Sequence, residues 1–322
     1  MEKEVNYIRP ITVTNPREFP YDETLPEGCI LLEEMEDEFG YVVYYSEEVY
    51  ARRRNGNQMT TLHLHIYEPQ LPEFETTNEE RDNIKWPVIV FVQGSAFHKQ
   101  KMFGHANMHM KMAARGYLIG VVEYRPSDIA PFPAQMQDCK TAIRYMKKHA
   151  DRLHADSSRI ALWGDSSGAH TALMAGFTGD DAPDSDVYKE YSATVNCIID
   201  WFGPTDFSKM NMVPSAQDHI YPDSPEGFEI GRLNVLEHPD ITEKTIPMKY
   251  LTRTKAIPPL LIMHGGRDML VPFQQSCLLY NRMTELGKKV IFYKIKDANH
   301  GIYGFSNEKI LDLIEEFIKK YM

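Results

Sequence analysis

The run Ile160-Ala161-Leu162-Trp163-Gly164-Asp165-Ser166-Ser167-Gly168-Ala169-His170 passes from an apolar strand pattern through Gly-x-Ser-x-Gly into an alanine-rich helical pattern. A serine held between two glycines on a sharp strand-to-helix turn is a nucleophile elbow, in which the hydroxyl stands above the sheet edge. Side chains at the glycine positions would collide with the neighbouring strand and helix in so tight a turn. Ser166 is therefore the candidate nucleophile. Ser167 is the alternative hydroxyl, and the reading without chemistry is a helix start capped by Asp165 or Ser166.

A serine hydroxyl is a weak nucleophile at neutral pH, so it needs a histidine base and a carboxylate to orient that base. Two later apolar runs end in loops that offer them. Leu260-Leu261-Ile262-Met263 leads into His264-Gly265-Gly266-Arg267-Asp268, and Val290–Ile295 leads into Lys296-Asp297-Ala298-Asn299-His300-Gly301. The chain order serine, acid, histidine assigns Asp268 as the orienting acid and His300 as the base. His264 competes as base and Asp297 as acid. His264, however, precedes the acid, and Asp297 is too near His300 along the chain to arrive from a separate strand.

Acyl transfer also requires backbone N–H groups aimed at the developing oxyanion. One is expected from Ser167, the residue after the nucleophile. The other is expected from Ser95 or Ala96, in the loop Gln93-Gly94-Ser95-Ala96-Phe97 that follows the apolar run Pro87–Val92. Phe97 and Trp201 are candidate substrate-binding residues; core packing is the equal alternative for Trp201 and Phe202.

These residues need a scaffold that brings several strand ends to one rim. Short unbroken apolar runs recur at 87–92, 117–122, 160–163, 195–202, 260–263 and 290–295, as expected of strands covered on both faces. Between them lie helical stripes such as Met136, Cys139, Ile143 and Met146, or Ile310, Ile314, Phe317 and Tyr321. The alternation predicts an α/β fold with a doubly wound, mostly parallel sheet. Residues 1–322 are read as one unit. Near the start, Val49–Arg52 and Thr61–Tyr67 flank Asn55-Gly56, which predicts an antiparallel hairpin with solvated Arg52, Arg53 and Arg54 at its end. Pro69 to Lys85 is read as a surface loop. From Pro204 to Pro258 the chain carries seven prolines and no long period, which predicts a cap or lid insertion over the strand ends (204–258).

Taken together, Gln93–Phe97, Glu123-Tyr124-Arg125, Pro131–Gln135 with Asp138-Cys139-Lys140, Gly164–His170, Trp201–Asp206, His264–Pro272 and His300-Gly301 resemble the α/β-hydrolase-fold esterases related to hormone-sensitive lipase. Within that group they are similar to the acetyl-xylan and feruloyl esterase-like branch. The resemblance implies the α/β-hydrolase fold and hydrolysis of esters of small acyl groups without a cofactor. That group usually has His-Gly-Gly-Gly where this chain has Gln93-Gly94-Ser95-Ala96. Ser95 and Ala96 add Cβ atoms there, which implies less room for large or tertiary groups.

The remaining composition narrows partners. A formal charge of −11 argues against a nucleic-acid surface, which needs clustered cations. No stretch approaches the roughly 18 apolar residues that span a bilayer, and Met1–Pro10 lacks the pattern of a secretory signal, so a cytoplasmic, membrane-free protein is the expectation. Cys29, Cys139, Cys197 and Cys277 form no CxxC pair and read as reduced thiols. His63 and His65 share a strand face, and His105 and His109 are spaced i, i+4, but neither pair has the further ligands of a metal site. Asp180, Asp181, Asp184 and Asp186 match no calcium loop and read as solvated surface. The expectation is a serine carboxylester hydrolase acting on a small-molecule ester through an acyl-enzyme, with homo-oligomerisation left open. An amidase such as an aryl-formamidase, and a non-catalytic ligand-binding receptor on the same fold, are the alternatives.

Overall fold

The computed structural model describes residues 20–32, 41–71, 77–184 and 187–322. Met1–Pro10, Asp186 and part of the 69–85 segment lie outside the described residues. Eight strands form one sheet: β1 (Val42–Asn55), β2 (Gln58–Pro69), β3 (Trp86–Val92), β4 (Leu118–Val122), β5 (Ala155–Asp165), β6 (Cys197–Trp201), β7 (Leu260–Gly265) and β8 (Val290–Ile295). Their order is β1-β2-β4-β3-β5-β6-β7-β8. The β1–β2 and β2–β4 pairs are antiparallel, and every other pair is parallel. The helices are α1 (Asn78–Asn83), α2 (Ala106–Ala114), α3 (Ala134–Lys148), α4 (Ser166–Thr178), α5 (Pro225–Glu229), α6 (Pro239–Thr242), α7 (Gln274–Glu285) and α8 (Glu308–Tyr321).

Strand alternation splits the apolar runs between two layers. Phe91, Trp163, Ile199 and Met263 face α2 and α8, while Val90, Leu162, Ile198 and Ile262 face α3, α4 and α7. The stripe Met136, Cys139, Ile143 and Met146 is buried against the sheet, as are Ile310, Ile314 and Phe317. This is the doubly wound α/β-hydrolase arrangement.

Several local expectations change. The hairpin turn sits one residue later than its Asn-Gly signal suggests: Asn55 pairs with Gln58, and Gly56, at φ +57°, leads the two-residue loop. Arg53 is not solvated. It reaches back to α3, donating from Nε to Asp138 Oδ1 (2.8 Å) and from Nη2 to Thr141 Oγ1 (2.6 Å), while Arg52 and Arg54 stay exposed. The 69–85 loop contains α1, started by a capping box in which Thr77 and Glu80 satisfy each other's backbone N–H. Asp180 and Asp184 are not merely solvated either, since both pair with the buried Arg144. The 204–258 segment has no long element, only α5, α6 and short 3₁₀ turns.

Candidate active site

The elbow follows from steric necessity. A Cβ at Gly168 would stand 2.0 Å from the Val92 carbonyl oxygen, and one at Gly164 would stand 2.5 Å from the Gly168 carbonyl oxygen. Without those two glycines, α4 could not lie so close to β3 and β5. The turn places Ser166 at φ +53°, in the left-handed region that L-residues avoid.

From there the Ser166 Oγ lies 2.9 Å from His300 Nε2, and His300 Nδ1 lies 2.8 Å from Asp268 Oδ2. An ionised carboxylate only accepts, so Nδ1 carries the proton, and the Nε2 lone pair accepts from the serine hydroxyl. The Asp268 side chain is fully buried and that of His300 is 13% exposed. Burial alone would raise the Asp268 pKa, but hydrogen bonds and charge from His264 and His300 outweigh it and hold the carboxylate well below its ordinary value. Its other oxygen accepts the N–H groups of Leu270 and Val271, both at 2.9 Å. The acid is thus ionised and fixed in orientation.

The competing residues take other places. The Ser167 hydroxyl accepts the Ser95 N–H at 2.9 Å and is buried. His264 lies wholly buried beneath Asp268: its Nε2 is 3.2 Å from Asp268 Oδ2 and 3.0 Å from the Val271 carbonyl, and its Nδ1 is 2.7 Å from Ser276 Oγ. It buttresses the acid. Asp297 pairs with Arg267 at the surface.

The loop after β3 corrects one expectation. The Ser95 N–H is taken by Ser167, and the Ser95 hydroxyl is engaged by the His98 carbonyl and Tyr124. Ser95 therefore locks the loop and is not an oxyanion donor. Among the described residues, no partner is found for the N–H groups of Ala96 and Ser167. Ala96 (φ +54°) and Phe97 (φ +62°) both hold left-handed backbone. Below them Asp165 ties loop to elbow: its Oδ1 accepts the Gly94 N–H at 2.8 Å, and its Oδ2 lies 3.2 Å from His105 Nε2. Burial of His105 is outweighed by the Asp165 charge, which raises the pKa of the imidazole.

A cavity of about 250 Å³ opens over Ser166. Phe97 lines it, but Trp201 does not. Trp201 is the last residue of β6 and points into the core, edge-on to Trp163 (4.8 Å between ring centroids). The chain then turns at Phe202 (φ +45°), whose ring lines the cavity 4.6 Å from that of His300. Sequence reasoning did not single out Gln217, His219 and Glu226, which also line the cavity from the 204–258 segment. His219 Nδ1 meets Glu226 Oε2 at 2.8 Å, with side chains 2% and 3% exposed. Burial opposes charge on His219, but Glu226 prevails and raises its pKa. No periodic or motif signal marks these residues. Asp165 and His264 had one, since each lies inside a stretch already chosen for Ser166 or Asp268.

The BD-FAE family model matches residues 76–283. The chain belongs to the BD-FAE family. This BD-FAE chain is 27% identical over 218 residues to the esterase LipC of Mycobacterium tuberculosis, covering 67% of the chain and 53% of LipC. It spans about half the length of the first curated relatives it matches. Among solved structures it is similar to a truncated carbohydrate esterase from gut microbiota, at 25% identity and a TM-score of 0.72, covering 89% of this chain and 98% of that one. The propionate-bound esterase Est2 of Thermogutta terrifontis shares the fold at 22% identity and a TM-score of 0.65, covering 88% of this chain and 94% of that one. Among the described residues no helix of the BD-FAE chain is long and apolar enough to cross a membrane.

Proposed function

We propose that this chain is a serine carboxylester hydrolase with Ser166 as nucleophile, His300 as general base and Asp268 as the orienting acid. The observation that carries the reading is the unbroken relay from Ser166 Oγ to His300 Nε2 and from Nδ1 to Asp268, beside the unpartnered N–H groups of Ala96 and Ser167. Ser166 Oγ attacks the ester carbonyl as its proton passes to His300 Nε2. The carbonyl oxygen becomes an oxyanion that the two N–H groups stabilise, each contributing about 3 kcal/mol. The imidazolium then gives the proton to the departing alcohol, leaving an acyl-enzyme. Water, deprotonated by His300, releases the acid and restores the serine.

The small cavity favours short acyl groups such as acetyl, and the Cβ atoms of Ser95 and Ala96 reinforce that limit. The similar gut-microbiota protein is a carbohydrate esterase, which supports a carbohydrate ester as the substrate here, and we propose an acetylated plant polysaccharide fragment. Residues 204–258 act as the cap. We expect Ser166→Ala to lower turnover of p-nitrophenyl acetate by about 10⁵-fold or more and to abolish labelling by a fluorophosphonate probe. Labelling that persists in this variant would refute the assignment.

A further inference from the structure

The cavity has two kinds of wall. Phe202, Leu270 and Val271 give it apolar surface, and the 204–258 segment adds the polar side chains of Gln217, His219 and Glu226 beside Pro204 and Pro225. The His219–Glu226 pair is almost completely buried. Burying two ionisable groups is costly, and an apolar pair of the same volume serves stability as well or better. His219 Nε2–H donates to the Leu270 carbonyl at 2.9 Å, so one more proton lies between Nδ1 and Glu226 Oε2. Among the described residues, the Glu226 carboxyl meets no side chain besides His219, its further hydrogen bond coming from its own backbone N–H, and the Gln217 side-chain amide has no protein partner. A fixed acceptor and a free amide therefore line the same small chamber as the nucleophile.

Resting on the esterase reading above, we infer that Glu226, held by His219 and assisted by Gln217, is the specificity element of the site, accepting a hydrogen bond from a free hydroxyl of the ester's alcohol portion. The chamber then selects short-acyl esters of polyols over esters of simple alcohols. The physical reason is the asymmetry of polar recognition. A site built to bind a hydroxyl loses strongly when the substrate lacks one, because the carboxylate is left without its partner.

The test compares 2-hydroxyethyl acetate with propyl acetate, which have the same number of heavy atoms and differ by a hydroxyl in place of a methyl. We expect the wild-type ratio of kcat/KM to favour the hydroxy ester by about 10- to 100-fold. In Glu226→Leu that ratio should collapse toward one, and in Glu226→Gln, where an amide oxygen still accepts, it should be intermediate. Equal wild-type rates on the two esters overturn the inference and leave the esterase reading intact. So does a ratio that persists in Glu226→Leu while both rates fall together, because the pair is then only a strut. Gln217→Ala reads the same ratio if Glu226→Leu does not fold, and no change in it overturns the inference. If the wild type hydrolyses neither ester and Ser166 takes no fluorophosphonate, the esterase reading itself has failed and this inference falls with it.

Discussion

At the scale of single residues, the site depends on how closely backbone can approach backbone. A Cβ at Gly94 would lie 2.5 Å from the Asp165 carbonyl oxygen and 2.7 Å from Ser166 Cβ. We expect Gly94→Ala to push the nucleophile and the oxyanion loop apart and to lower kcat by about 100-fold, with far-UV circular dichroism unchanged. A kcat within a factor of about two of wild type would show that the loop tolerates the shift. The same closeness explains what could be read from sequence. The convergence of Ser166, Asp268 and His300 was legible because each follows an apolar strand run in a fixed order, and such runs survive in the fold. The choice between Ser95 and Ala96 was not legible. It depends on which way one N–H points, and Ser167 Oγ, from a different element, decides that. Of the two readings of Trp201, pocket lining and core packing, the structure takes the second for a related reason. Its side-chain direction is set by strand alternation, which sends it into the core, and the positive φ of Phe202 then delivers the next ring to the cavity.

At the scale of elements, the hairpin, the loop after β4 and α3 meet at one buried carboxylate. Asp138 accepts from Arg53 at 2.8 Å and from Arg125 at 2.8 and 3.0 Å. Asp138→Ala strands both guanidinium groups, so we expect about 3–5 kcal/mol less unfolding free energy, read from the urea midpoint. Arg53→Ala should cost less, because Arg125 keeps the carboxylate paired. Equal losses in the two variants would mean that the hairpin contact alone matters. Sequence patterning located α3 and its buried stripe, because a helical period records burial directly. It could not show that Arg53, beside an Asn-Gly turn, folds back onto that helix, since long-range ion pairs leave no periodic trace. The 204–258 segment was legible only as an interruption. Its proline-rich, aperiodic composition predicts an insertion, but its short turns are fixed by tertiary contacts such as that of Glu229 with Ser127.

At the scale of the whole molecule, two buried acids tie stability to pH. Burial pushes Glu229 from its ordinary 4.5 up to about 8, against a hydrogen bond from Ser127. Burial likewise pushes Asp200 from 3.8 to about 7, against the Gly203 N–H. Both are raised above their unfolded values, so the native state keeps protons that the unfolded chain releases. Their stabilisation is complete below the ordinary carboxylate range and is lost as pH climbs through about 7 to 8. We expect the thermal midpoint to fall between pH 5 and pH 9 and Glu229→Gln to flatten that decline. Parallel curves for wild type and variant would remove Glu229 as a cause.

The 204–258 segment is fastened to the strand-end loop through the Ala216 N–H on the Met269 carbonyl (2.7 Å) and through Ser215 Oγ and His219 Nε2 on the Leu270 carbonyl (2.8 and 2.9 Å). The Leu270 N–H in turn clamps Asp268. One short piece of backbone thus holds the 204–258 segment, which lines the chamber, on one side and Asp268 on the other. On the esterase reading proposed above, moving that segment to admit a bulky guest would slacken the Asp268–His300–Ser166 relay, which sets roominess against proton transfer.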